Sequence, residues 1–90
     1  MMGLFSKKKK VDFDELFKEK YRSLNKVMMQ AQNEMDGVVK ESLIQNVVDR
    51  YDELLSLIDQ GAHFEKAHFE SLKASAVKEL EKVMALNKES

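Results

Sequence analysis

Three observations predict an all-α fold, a small antiparallel three-helix bundle. The 90 residues contain no Pro and only 3 Gly, so few helix breakers interrupt the chain. Apolar residues recur at three- and four-residue spacing from Phe13 to Leu86, the period of a helix face. Alternating Val/Ile/Thr runs of the strand type are missing, and Thr does not occur at all.

The centre of the chain organises the rest. Across residues 42–59, Leu43, Ile44, Val47, Val48, Tyr51, Leu54, Leu55 and Ile58 share one helical arc of roughly 140° at 100° per residue. A lone surface helix needs an apolar stripe of only about 100°. A helix with this wider face has a neighbour on each side.

Residues 1–11 are expected to be a disordered basic tail, and 12–90 a single helical-bundle domain. Helix one is expected over residues 12–35. Asp12, Phe13, Asp14 and Glu15 have the spacing of a capping box, and Asp14 and Glu15 suit the positive end of a helix dipole. From Phe17 a 4-3 alternation runs through Tyr21, Leu24, Met28, Ala31 and Met35, the signature of coiled-coil-like packing. Asp36-Gly37 stops it. Val38 and Val39 in the connection are expected to pack against a helix end. Helix two is expected over 42–60, with Ser42 as its cap or a start one turn earlier at Asp36, and Gly61 as its stop. Helix three is expected over 62–87, its apolar face carrying Phe69, Leu72, Ala76, Leu80, Val83 and Leu86. Its start has no Ser, Thr, Asp or Asn cap. The alternative is a single long helix bent at Gly61, giving a helical hairpin that completes its core as a dimer.

Composition removes several kinds of chemistry. With no Cys there are no disulfides, thiolate metal sites or Cys nucleophiles. A small secreted domain often needs disulfides, so a cytoplasmic location is favoured. No apolar run approaches the ~18 residues of a membrane span, and the lysines come after the first apolar residues, the reverse of a secretory leader. The net charge of −1 is uneven: Lys7, Lys8, Lys9 and Lys10 supply +4, which leaves 11 Lys+Arg (15 − 4) against 16 Asp+Glu in the remainder, a balance of −5. An acidic body argues against nucleic acid as a partner, since phosphate affinity comes from cationic surface.

Catalytic and metal readings fail on spacing. HFEKAHFE, residues 63–70, holds both histidines. His63 and His68 stand about 140° apart on a helix, unlike the i, i+4 pair of H-E-x-x-H. Glu65 and His68 have the Glu-x-x-His spacing of di-iron bundles, but such a site needs a second pair and two further glutamates. Asp49, Asp52 and Glu53 read as a solvated outer face beside Arg50, and no phosphate-binding glycine loop is present. The expectation is no catalytic residue, no metal, no cofactor and no small-molecule substrate.

The functional expectation is a non-enzymatic structural or protein-interaction module that binds a protein partner or itself. Met29 and Leu57 both lie off their helices' apolar arcs and are the candidate contacts, Met being common on adaptable binding surfaces. The alternative is a peripheral membrane protein at the inner face of a membrane. In that reading Leu4 and Phe5 dip into the interface beside Lys7, Lys8, Lys9 and Lys10, each lysine adding about 1 kcal/mol near anionic lipid.

Overall fold

The computed structural model describes residues 12–89, which form three helices: α1 (Phe13–Asn33), α2 (Gly37–Gln60) and α3 (Lys66–Glu89). The expected basic tail, with Leu4, Phe5 and the four lysines, lies outside the described residues. The fold is the expected antiparallel three-helix bundle. Residues 61–65 separate α2 from α3, so the bent-helix alternative does not hold.

Each helix start has a local cause. The Asp12 carboxylate accepts from the amides of Asp14 (3.1 Å) and Glu15 (3.2 Å), which satisfies two of the free N–H groups at the start of α1. Glu15 does not reach back; its carboxylate lies 3.9 Å from Lys18. α2 begins at Gly37, well before the position expected from Ser42, because Asp36 is the effective cap. Its carboxylate accepts from Val38 N (2.9 Å) and Val39 N (3.2 Å). Ser42 is interior to the helix.

α2 ends in a complete Schellman turn. Ala62 N donates to Leu57 O (2.9 Å) and Gly61 N to Ile58 O (3.1 Å), with Gly61 at φ 135°. That backbone region favours glycine. Ala62 and Leu57 are both buried beside the turn, the apolar pairing that accompanies this motif. α3 consequently starts at Lys66, later than the expected Ala62. The amide of Ala62 is committed to the turn, and that of His63 donates to the Asp14 carboxylate (2.7 Å).

α2 is the central helix. Ile44, Val47, Val48, Tyr51, Leu54 and Leu57 are buried along it. α1 contributes Phe17, Leu24 and Ala31 at heptad intervals, and α3 contributes Phe69, Ala76, Leu80 and Val83. The outer helices run parallel to each other and antiparallel to α2. No Cα of α1 comes within 8 Å of a Cα of α3.

They meet instead through aromatic rings at the end where Gly61 lies. Phe17 stacks on Phe64 at 4.1 Å between centroids and meets Phe69 edge-on at 4.9 Å. Tyr21 also meets Phe69 edge-on, at 5.3 Å. In the same register Leu24 lies level with Ala76 and Ala31 with Val83, all four buried.

Polar contacts fix the register. Arg50 donates to Ser23 Oγ (3.1 Å) and Lys20 lies 3.8 Å from Glu53, both joining α1 to α2. Lys73 pairs with Asp52 (2.6 Å) and Lys66 with Asp59 (2.8 Å), joining α3 to α2. Asp52 and Glu53 are therefore exposed but paired between helices, where the sequence suggested an unengaged solvated face. Exposed pairs of this kind add at most about 1 kcal/mol each, so they select register more than they stabilise. At the Gly37 end the Asn87 amide donates to Gly37 O (2.9 Å) and to the Glu41 carboxylate (2.8 Å).

Candidate interaction surface

Among the described residues, every exposed large hydrophobic lies in the Gly37 half of the molecule. They are Met29 near the end of α1, Met35 in the connection, Val38 and Val39 in the first turn of α2, and Met84 and Leu86 near the end of α3. Scattered single apolar residues on a surface need no explanation, but these six all fall at one end, Met29 and Val39 lining one shallow depression and Met84 another.

Several of these residues correct the expectations from sequence. Met35 does not continue the core stripe of helix one: α1 ends at Asn33 and Met35 is 96 % exposed. Leu86, expected on the apolar face of helix three, is 65 % exposed in the last turns of α3. Val38 does not pack against a helix end, whereas Val39 lies beside the end of α1 with Met29 and Asn33. With α2 starting at Gly37, Val38 stands about 120° from Ile44 on the wheel, and it faces outward. The Asp36 cap is the sequence signal that places it there.

Of the two candidate contacts, Met29 is 62 % exposed and stays on the surface. It shares a shallow depression with Lys26, Val39 and Leu43. Leu57 is corrected: it is 6 % exposed and belongs to the core. Wheel angle alone puts it off the arc, but it sits in the last turn of α2, where the Schellman turn folds Ala62 over it.

A groove of about 450 Å³ lies between α1 and α3. Its floor is the midline of α2, with Lys40, Ile44 and Tyr51. Met28, Ala31 and Gln32 form the α1 wall, and Leu72, Ser75, Ala76 and Glu79 the α3 wall. Such a volume lies in the range of binding pockets generally. Tyr51 is 6 % exposed, and because no buried side-chain polar atom among the described residues lacks a partner, its hydroxyl keeps contact with solvent through the groove. Burial raises its pKa, with the neighbouring Tyr21 adding to the effect. Sequence reasoning misses the groove because each lining apolar residue is a correct core residue by periodicity. Lys40, falling within the apolar arc of α2, is the one clue to it.

The histidines take no part in this surface. His63 Nδ1 lies 3.1 Å from the Asp14 carboxylate at the Gly61 end, and His68 lies beside Phe69. The His63 amide, then its ring, holds the Asp14 carboxyl below its ordinary pKa. The Asp59 carboxylate raises that of Lys66. Among the described residues no group of three or more His, Cys, Asp or Glu is placed to hold a metal ion, and no helix is long and apolar enough to cross a membrane.

No protein-family model matches the chain, and neither curated proteins nor solved structures gave a match. The fold and the placement of exposed apolar groups are therefore the guide to function.

Proposed function

We propose that the chain is a non-enzymatic helical interaction module, working in the cytoplasm, that docks a protein partner on its Gly37 half. The confinement of Met29, Met35, Val38, Val39 and Met84 to that half supports the reading. Apolar patches that water would otherwise cover are the surfaces from which protein interfaces draw their free energy.

Site-specific photo-crosslinking tests it. A benzophenone amino acid at Val38 is compared with the same group at Lys78, which is exposed elsewhere on α3. The expected result is a discrete adduct with one protein from Val38, lost when Met29 and Met84 are both changed to Gln. Equal labelling from the two positions, or no adduct from Val38, would overturn the proposal.

The sequence supports a second reading, attachment to anionic membrane through Leu4, Phe5, Lys7, Lys8, Lys9 and Lys10. Flotation with anionic liposomes, comparing the full chain with one starting at Val11 at low and high salt, tests it. Salt-sensitive flotation that requires the first ten residues supports attachment, and absence of flotation refutes it.

A further inference from the structure

Among the described residues every methionine lies in the Gly37 half, and none belongs to the buried core. Met35 is 96 % exposed, Met29 62 % and Met84 46 %, while Met28 is half-buried against the edge of the core. Methionine more often fills irregular gaps inside a core. Here the interior closes without sulfur, and three sulfurs stand where a dissolved oxidant reaches them. We propose that this pole is a site of reversible methionine oxidation, at which a peroxide converts Met35, Met29 and Met84 to sulfoxides and turns the pole polar while the bundle stays folded.

The reaction needs only the thioether and hydrogen peroxide. A sulfur lone pair attacks one peroxide oxygen, the O–O bond breaks and an S–O bond forms. The sulfur is oxidised by two electrons and the peroxide reduced, its second oxygen leaving as water with both protons. The product carries a polar, chiral group where a flexible apolar one stood. Methionine sulfoxide reductases reverse the step with two thiols, which leave as a disulfide while the oxygen leaves as water.

The structure ranks the sulfurs. Met35 lies between two pinned residues: the Glu34 carboxylate accepts from Asp36 N (2.9 Å), and the Asp36 carboxylate caps α2. Its exposure belongs to the folded connection. Met29 shares its depression with Lys26, and Met84 shares another with Lys88. An ammonium is thus at hand in each to donate to a sulfoxide oxygen. Met28 instead lines the groove with Ala31 and Ile44. A sulfoxide there would bring a polar group against the core, which is unfavourable. Met28 and Met29 are neighbours in sequence with opposite surroundings, so their relative rates report on the fold.

The test treats the folded full chain with limiting hydrogen peroxide and follows each sulfur by peptide fragmentation in a mass spectrometer. Met35 is expected to react first, then Met29 and Met84, with Met29 at least twofold faster than Met28. In concentrated urea Met28 and Met29 are expected to react at one rate. With the three outer sulfoxides formed, the melting temperature is expected to fall by no more than about 4 °C, as for changes at exposed positions. The two reductases, one for each sulfoxide epimer, are expected to restore the thioethers. Met28 reacting as fast as Met29 in the folded chain, loss of the helical circular dichroism, or sulfoxides that the reductases leave in place would overturn the inference.

The consequence for docking rests on the interaction-module reading, and the Val38 crosslink separates the two. The chain is oxidised, freed of peroxide and then offered to a cell extract. The adduct is expected to fall at least tenfold and to return after reduction. In a chain carrying Met29→Leu, Met35→Leu and Met84→Leu, the treated and untreated yields are expected to be equal. Met1, Met2 and Met28 remain in that chain, so equal yields exclude them as the cause. An adduct undiminished by oxidation overturns the effect on docking and leaves the module standing. No adduct from the untreated chain removes the module, while the oxidation site still stands or falls on the rates and the melting temperature.

Discussion

Gly37 and Asn87 occupy each other's space. A Cβ on Gly37 would run into the Asn87 side-chain oxygen, while the Asn87 nitrogen holds Gly37 O and Glu41 together. Gly37→Ala therefore dislodges Asn87 and is expected to destabilise the chain by about 1 kcal/mol, the net value of a hydrogen bond or two. In an Asn87→Ala background the same substitution is expected to stabilise by a few tenths, since Ala exceeds Gly in helix propensity by about 1 kcal/mol. A double-mutant cycle in urea reads this sign reversal, and additive effects would show that the two residues are uncoupled. Asp14 offers a second residue-scale test. Its pKa is depressed by the His63 amide and ring from the ordinary 3.8. A depressed carboxyl pKa contributes stability above the unfolded value and loses it as pH falls through the folded one. The gap in melting temperature between the wild type and Asp14→Asn is thus expected to be largest near neutral pH and to shrink below about pH 4. A gap that stays constant to pH 2 would mean that the carboxylate charge has no part in holding the 61–65 loop.

At the scale of elements, Leu57 and Met29 are the sharpest contrast. Both lie off their wheels' apolar arcs, yet one is core and the other surface. Leu57→Ala is expected to cost about 2–5 kcal/mol, as for a large buried aliphatic residue. Met29→Ala is expected to stay within about 0.5 kcal/mol, as for an exposed position. Chemical denaturation of the two variants decides it, and similar losses would place Met29 in the core after all. The contrast shows what periodicity can convey. It places a side chain around a helix axis, and so Ile44, Val47, Val48, Tyr51 and Leu54 are all legible as buried. What covers a given level along the axis depends on neighbouring elements. Leu57 is covered by Ala62 beyond its own helix, whereas Leu86 is exposed although periodicity puts it on the apolar face of α3. Helix starts are similarly half-legible. Asp12 and Asp36 both cap, but the Asp36-Gly37 pair also has the form of a stop signal, and Ser42 has the spacing of a cap without acting as one.

Across the whole molecule, the aromatic contacts are gathered at one end. Aromatic rings join α1 to α3 at the Gly61 end, whereas aliphatic side chains line the core at the other. Leu54 and Ile44 probe this difference fairly, being interior to α2 and fully buried towards opposite ends. In native-state hydrogen exchange the Ile44 amide is expected to open at lower free energy than that of Leu54, as local stability follows contact density. Equal protection would show that the aromatic cluster at the Gly61 end does not stabilise α2 locally. The bundle class is legible from helix number and from the width of the α2 arc. The meeting of the outer helices is not, because it depends on which side chains fall at the same level of two helices that are distant in sequence. Phe17 and Phe69 become neighbours only once α2 has set their heights. The same layout gives the molecule a front and a back. The chain enters at Asp12 beside Gly61, and α3 finishes beside Gly37, so the two ends of the described chain sit at opposite poles, separated by about 36 Å for a 24-residue helix. Cargo, dye or surface attached ahead of Asp12 is carried behind the bundle and leaves the apolar pole facing forward. A fusion after Glu89 stands directly in its way.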